Sequence, residues 1–84
     1  MGAGWYVYIL ECFDGTLYTG VTLSLERRLD AHQRGVASKY TRARLPVRLV
    51  YHETRRSRAG AQRREAAIKK MARADKLRLF SPGT

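Results

Sequence analysis

Tyr6-Val7-Tyr8-Ile9-Leu10-Glu11-Cys12-Phe13-Asp14-Gly15-Thr16-Leu17-Tyr18-Thr19-Gly20-Val21 decides the fold of this chain of 84 residues. Two runs rich in β-branched and aromatic residues, Tyr6 to Cys12 and Leu17 to Val21, flank a turn-forming Phe13-Asp14-Gly15-Thr16. That is the pattern of a hairpin. The length of the turn then decides which side chains share a face. A two-residue turn, Asp14-Gly15, would pair Phe13 with Thr16 and put Tyr8 and Tyr18 on opposite faces. A three-residue turn, Phe13-Asp14-Gly15, pairs Cys12 with Thr16. Tyr8 then faces Gly20, Tyr18 faces Leu10, and the two phenols become diagonal neighbours. Gly15 stands at the third loop position, where such a hairpin takes a left-handed residue, so the three-residue loop is predicted.

Beyond the hairpin, Ser24 offers an N-cap with Glu26 in the first turn, where the helix dipole favours an anion. Leu25, Arg28, Leu29 and His32 follow at i, i+3, i+4 and i+7, a helical spacing, and Gly35 is a natural stop. Val36 to Leu45 is basic and irregular, with one helical turn expected near Lys39 to Arg42. Pro46 opens a third strand, Val47 to His52, with Val47, Leu49 and Tyr51 alternating against Arg48, Val50 and His52. Ser57 can cap a helix running to about Met71, and a short helix is expected around Asp75 to Leu79. The whole is α+β: one domain over 1–84, a small three-stranded antiparallel sheet flanked by helices, with 81–84 a loose tail.

Composition narrows the function. Nearly half the residues are hydrophobic, which is globular rather than disordered. The single Cys12 excludes an internal disulfide and leaves no thiol pair for zinc; within an apolar run it reads as a buried small hydrophobe. No stretch approaches the roughly 20 apolar residues of a membrane span, and no targeting segment is visible, so a cytoplasmic protein is expected. Residues 1–41 balance four Lys/Arg against four Asp/Glu, whereas residues 42–84 supply the whole net charge of +10. One basic half suggests a polyanionic partner, most often nucleic acid; a merely solvated surface is the plainer alternative.

Three features fit poorly with a plain core. Arg28 and His32 lie on or beside the face that Leu25 and Leu29 aim at the sheet. Taken alone, an arginine there snorkels or pairs with a carboxylate, and a histidine is a satisfied structural group. Glu65 falls in the row Ala61, Glu65, Ile68, Ala72, where an apolar side chain is expected. A carboxylate there needs compensation, by a salt bridge to one of the arginines or by a metal ion.

Taken together, Tyr6-Val7-Tyr8, Tyr18-Thr19-Gly20, Arg28, His32 and Arg64-Glu65-Ala66-Ala67-Ile68-Lys69 resemble, in order, the motifs of the GIY-YIG nuclease domain. The likeness runs from Tyr6 to about Leu79 and is greatest to small stand-alone bacterial members. It implies that Tyr8 and Tyr18 are the tyrosines of the first and second motifs, Arg28 the catalytic arginine, His32 a site position and Glu65 the metal ligand. It also implies a DNA endonuclease, with repair or recombination as the kind of role, using one Mg²⁺ or Mn²⁺ ion. Tyr6 replaces the first motif's glycine, and the chain has no asparagine where several members carry one late in the domain. Lys69, Lys70 or Lys76 is the expected substitute for holding phosphate.

One carboxylate suits one Mg²⁺, which keeps most of its waters. Tyr18 is the expected general base, helped by Arg28 and the cation, with Tyr8 and His32 relaying protons or positioning water. Lys39, Arg42, Arg44, Arg64, Lys69 and Lys70 are the candidate nucleic-acid contacts, and single-stranded or branched DNA is the form that a small domain would most readily accept. The rival readings are a non-catalytic nucleic-acid-binding module on the same fold and a basic protein-interaction module.

Overall fold

The computed structural model describes residues 4–80. In chain order it holds β1 (Trp5–Glu11), β2 (Leu17–Thr22), α1 (Leu25–Gln33), α2 (Lys39–Arg42), β3 (Arg48–Arg55), α3 (Arg58–Lys69) and α4 (Arg73–Phe80). The strands make one antiparallel sheet in the order β2-β1-β3, so the chain is α+β as expected. The tail expected at 81–84 lies outside the described residues.

The hairpin has the three-residue loop. Cys12 N–H donates to the Thr16 carbonyl at 2.9 Å, Gly15 N–H to the Cys12 carbonyl at 2.9 Å, and Gly15 takes φ 85°. Asp14 fastens the tip by accepting from the Thr16 amide at 3.1 Å and the Thr16 hydroxyl at 2.6 Å. Tyr8 consequently pairs with Gly20 and Leu10 with Tyr18.

Central β1 is buried on both faces, with four consecutive buried residues from Val7 to Leu10. Val7 and Ile9 pack on Ala61 and Ile68 of α3, with Trp5, Leu79 and Phe80 closing the margin. Tyr8, Leu10 and Cys12 pack the other way, on Val47 and on Leu25 and Leu29 of α1. Each large apolar side chain buried so contributes roughly 1.5–3 kcal/mol. The sheet is thus sandwiched between α1/α2 and α3/α4.

The caps form as expected. The Ser24 hydroxyl accepts from Arg27 N–H at 3.3 Å, Ser57 from Gly60 N–H at 3.0 Å, and Gly35 ends α1 with φ 78°. The helical turn between α1 and β3 falls at Lys39–Arg42.

Two expectations need correction. β3 runs to Arg55, three residues past His52, and does not alternate smoothly. Ile9 pairs with Tyr51 while Leu10 pairs with Leu49, so Val50 is an extra residue in a β-bulge. The bulge turns Tyr51 to the α3 face, away from Leu49. On α3, Ala61 and Ile68 are fully buried, but the helix ends at Lys69, so Ala72 lies beyond it and is exposed.

Candidate functional site

The site forms where the layers meet over β2, the edge strand of the sheet. Gly20 is the pivot: a Cβ built there would lie 2.5 Å from the Tyr8 hydroxyl oxygen and 2.7 Å from Cζ. The Tyr8 phenol therefore occupies the space that a side chain would fill, and only glycine permits it.

Beneath that phenol runs a buried polar chain. Tyr8 Oη and His32 Nε2 are 2.9 Å apart, His32 Nδ1 and Thr41 Oγ1 2.9 Å, and Thr41 Oγ1 donates to the Ser38 carbonyl at 3.4 Å. One proton assignment satisfies all three bonds: Tyr8 O–H to Nε2, Nδ1–H to Thr41, Thr41 O–H to Ser38. His32 and Thr41 are completely buried. Burial first and then the Arg28 charge push the His32 pKa down, which keeps the ring neutral near pH 7. Burial, then the neighbouring Tyr18 phenol, pushes Tyr8 up to about 12, against the opposing pull of Arg28. Glu65 raises it a little further, so Tyr8, Tyr18, Arg28 and Glu65 share one electrostatic neighbourhood. The rings also touch: Tyr18 lies 5.2 Å from His32 and 6.5 Å from Tyr8, centroid to centroid.

Glu65 is compensated by Lys69 one turn on, at 3.1 Å, and not by an arginine. Its side chain keeps 21% exposure, enough to reach a ligand. Among the described residues no three His, Cys, Asp or Glu side chains gather, and Glu65 is the one carboxylate whose charge acts on Tyr8. A depression of about 300 Å³ opens beside Arg28, lined also by Trp5, Thr22, Leu23, Ser24 and Arg27. Toward the other end of β2 a groove of about 310 Å³ is lined by Leu17, Tyr18, Thr19, Tyr40, Lys69 and Lys76.

The expected catalytic five, Tyr8, Tyr18, Arg28, His32 and Glu65, are therefore brought together. The candidate nucleic-acid contacts are more scattered. Lys69 lines the groove, and Arg44 lies 3.9 Å from the Tyr40 ring centroid. Lys39 and Arg42 border a separate depression of about 380 Å³. Lys70 is exposed at the end of α3. Arg64 is committed elsewhere, donating to Glu53 at 2.9 Å. Burial raises the Glu53 pKa, but hydrogen bonds from Tyr51 and Arg64 and the charges of Arg64 and Arg55 outweigh it and hold the carboxyl below its usual range. Thr41 and Tyr40 escape a sequence reading: the one visible hint is Ser38, which caps α2 through Tyr40 and Thr41 N–H and so orients both.

A three-stranded sheet covered by helices on both faces gathers two tyrosines, an arginine and a glutamate beside its edge strand, and comparison with known proteins gives the family. The model of the GIY-YIG catalytic domain matches residues 4–78, so the chain belongs to the GIY-YIG family, a family of nucleases acting on DNA. It is 54% identical over 72 residues to UPF0213 protein SAG0778 of Streptococcus agalactiae, covering 86% of this chain and 82% of that one. It is 49% identical over 84 residues to UPF0213 protein NP_0776A of Natronomonas pharaonis, covering 100% and 99%. Among solved structures it resembles UPF0213 protein BH0048 of Bacillus halodurans, with TM-score 0.60, 42% identity and coverage of 94% and 88%.

Proposed function

We propose that this protein is an endonuclease that hydrolyses DNA phosphodiester bonds with one Mg²⁺ or Mn²⁺ ion held by Glu65, serving DNA repair or recombination in the cytoplasm. The observation that carries the reading is the asymmetry between the two phenols. Tyr8 is locked: hydrogen-bonded to His32, pressed over Gly20 and pushed up to about 12, it stays protonated at neutral pH. Tyr18 is half-buried at the mouth of the groove, so it is the phenol placed to meet water and substrate.

Tyr18 then takes the proton from the attacking water. Tyr8, with its own O–H directed into His32, backs Tyr18 and holds it in place. Arg28 braces the phosphoryl oxygens with its planar fork. A lone carboxylate fits an ion that keeps most of its waters. When bound, that ion would supply positive charge for the phosphate and for a phenolate at Tyr18. No described helix is long and apolar enough to cross a membrane, and Cys12 is a buried thiol, in keeping with the proposed location.

Single-turnover cleavage of labelled single-stranded and duplex DNA, with Mg²⁺ or with EDTA, tests this. Glu65→Gln, Arg28→Ala and Tyr18→Phe should each lower the rate by about 10²-fold or more. A Tyr18→Phe enzyme that cleaves normally while Tyr8→Phe does not would exchange the two roles. Binding without Mg²⁺-dependent cleavage of any substrate would leave only a DNA-binding module.

A further inference from the structure

We propose that the groove between Tyr40 and Lys76 seats an unpaired nucleobase beside the reacting phosphate, which makes single-stranded DNA the preferred substrate. This rests on the nuclease reading above and adds the substrate class.

Among the described residues Tyr40 is one of four large hydrophobic side chains exposed to water, with Phe13, Leu23 and Val36, and of these it alone lines this groove. It is also pinned. The Arg44 guanidinium lies 3.9 Å from the ring centroid and is itself held by Asp14 at 3.1 Å and by the Tyr40 carbonyl at 2.9 Å. A ring ordered before binding loses little entropy on binding. Its plane is within 24° of the Tyr18 ring, with centroids 6.0 Å apart, so the two rings line the groove nearly in parallel.

The remaining wall is cationic. Lys69 comes from α3 and Lys76 from α4, and Lys76 makes no salt bridge among the described residues. Aromatic rings interleaved with lysines are the chemistry that takes single strands, because every base has a π-face and every nucleotide a phosphate. In a duplex the base faces are already stacked on one another, so Tyr40 gains nothing from it. A flexible strand can set one base against Tyr40 and its phosphate between Lys69, Lys76 and the catalytic residues.

The test is fluorescence anisotropy in EDTA, using a labelled oligothymidylate and a hairpin duplex of equal length. Wild type should bind the single strand more tightly. Tyr40→Ala should weaken that binding by about tenfold, within the range seen when a base-stacking ring is removed, and leave duplex binding unchanged. Tyr40→Phe should match wild type within about twofold. Lys76→Ala should lower the salt slope on the single strand by about 0.7. If circular dichroism shows Tyr40→Ala to be unfolded, Tyr40→Leu carries the same expectations. Equal or tighter duplex binding by wild type overturns the proposal, as does an equal loss on both ligands in a folded Tyr40 variant. In that event the nuclease reading stands, provided that Mg²⁺-dependent cleavage persists. A wild type that binds neither ligand overturns both.

Discussion

Both faces of β1 are packed with apolar side chains, but only one adds a buried polar chain. Against α3, Val7 and Ile9 meet Ala61 and Ile68 in a dry apolar layer. Against α1 and α2, Tyr8 meets His32, and His32 meets Thr41, in a chain of buried polar atoms. No buried side-chain nitrogen or oxygen among the described residues lacks a hydrogen-bond partner, so this polar layer is fully satisfied. An apolar layer asks only for volume, and small errors are absorbed by repacking. A polar layer asks for direction as well, because a displaced donor becomes an unpaired one. One strand thus packs apolar side chains on both faces and carries the candidate site on only one of them.

Gly20→Ala strains this contrast most. The added methyl collides with the Tyr8 phenol, so cleavage should fall by about 10²-fold and stability by about 1–3 kcal/mol. Single-turnover rates and urea melts measure both. Normal cleavage in this variant would mean that the phenol's position is immaterial.

Ile68→Ala probes the dry face. It should cost about 2–5 kcal/mol in a denaturant melt and leave the cleavage rate per folded molecule unchanged. A rate loss matching the glycine variant's would erase the division between the faces.

The mildest effect is in pH. His32 binds its proton more weakly folded than unfolded, so the unfolded chain holds more protons below about pH 6.5. Stability should be fully present above that pH and decline as pH falls through it. Tyr8 stays protonated to about 12 when folded but ionises near 10 when unfolded, so stability should also decline as pH rises from 10 toward 12. His32→Gln should flatten the acid limb alone. Melts from pH 5 to 11 would show it, and an unchanged acid limb would assign that limb to other groups.

Much of this was legible in the sequence because it is local. Gly15 dictated the loop, the loop dictated the register, and the register put Tyr8 beside Gly20 and Tyr18. Ser24, Ser57 and Gly35 marked helix ends through their own backbone bonds. The bulge at Val50 was hidden, since both Val50 and Tyr51 suit a strand and only the packing against α3 chooses between them. Thr41 was hidden for a like reason: a threonine in a basic loop gives no sign that a histidine nine residues back will need its oxygen. Glu65 was legible as an anomaly but its partner was not, because Lys69 competes with many nearby arginines.

The closed tip of the hairpin has a consequence for how such a chain can vary. Phe13 at the tip is 77% exposed, so its identity is nearly free. The number of residues in the tip is not free. Removing or adding one would turn every side chain of β2 to the other layer, sending Tyr18 toward Ile68 and Leu17 toward His32. Point changes there are therefore graded, while single-residue insertions and deletions act as a parity switch, and a pair of them restores the original phase.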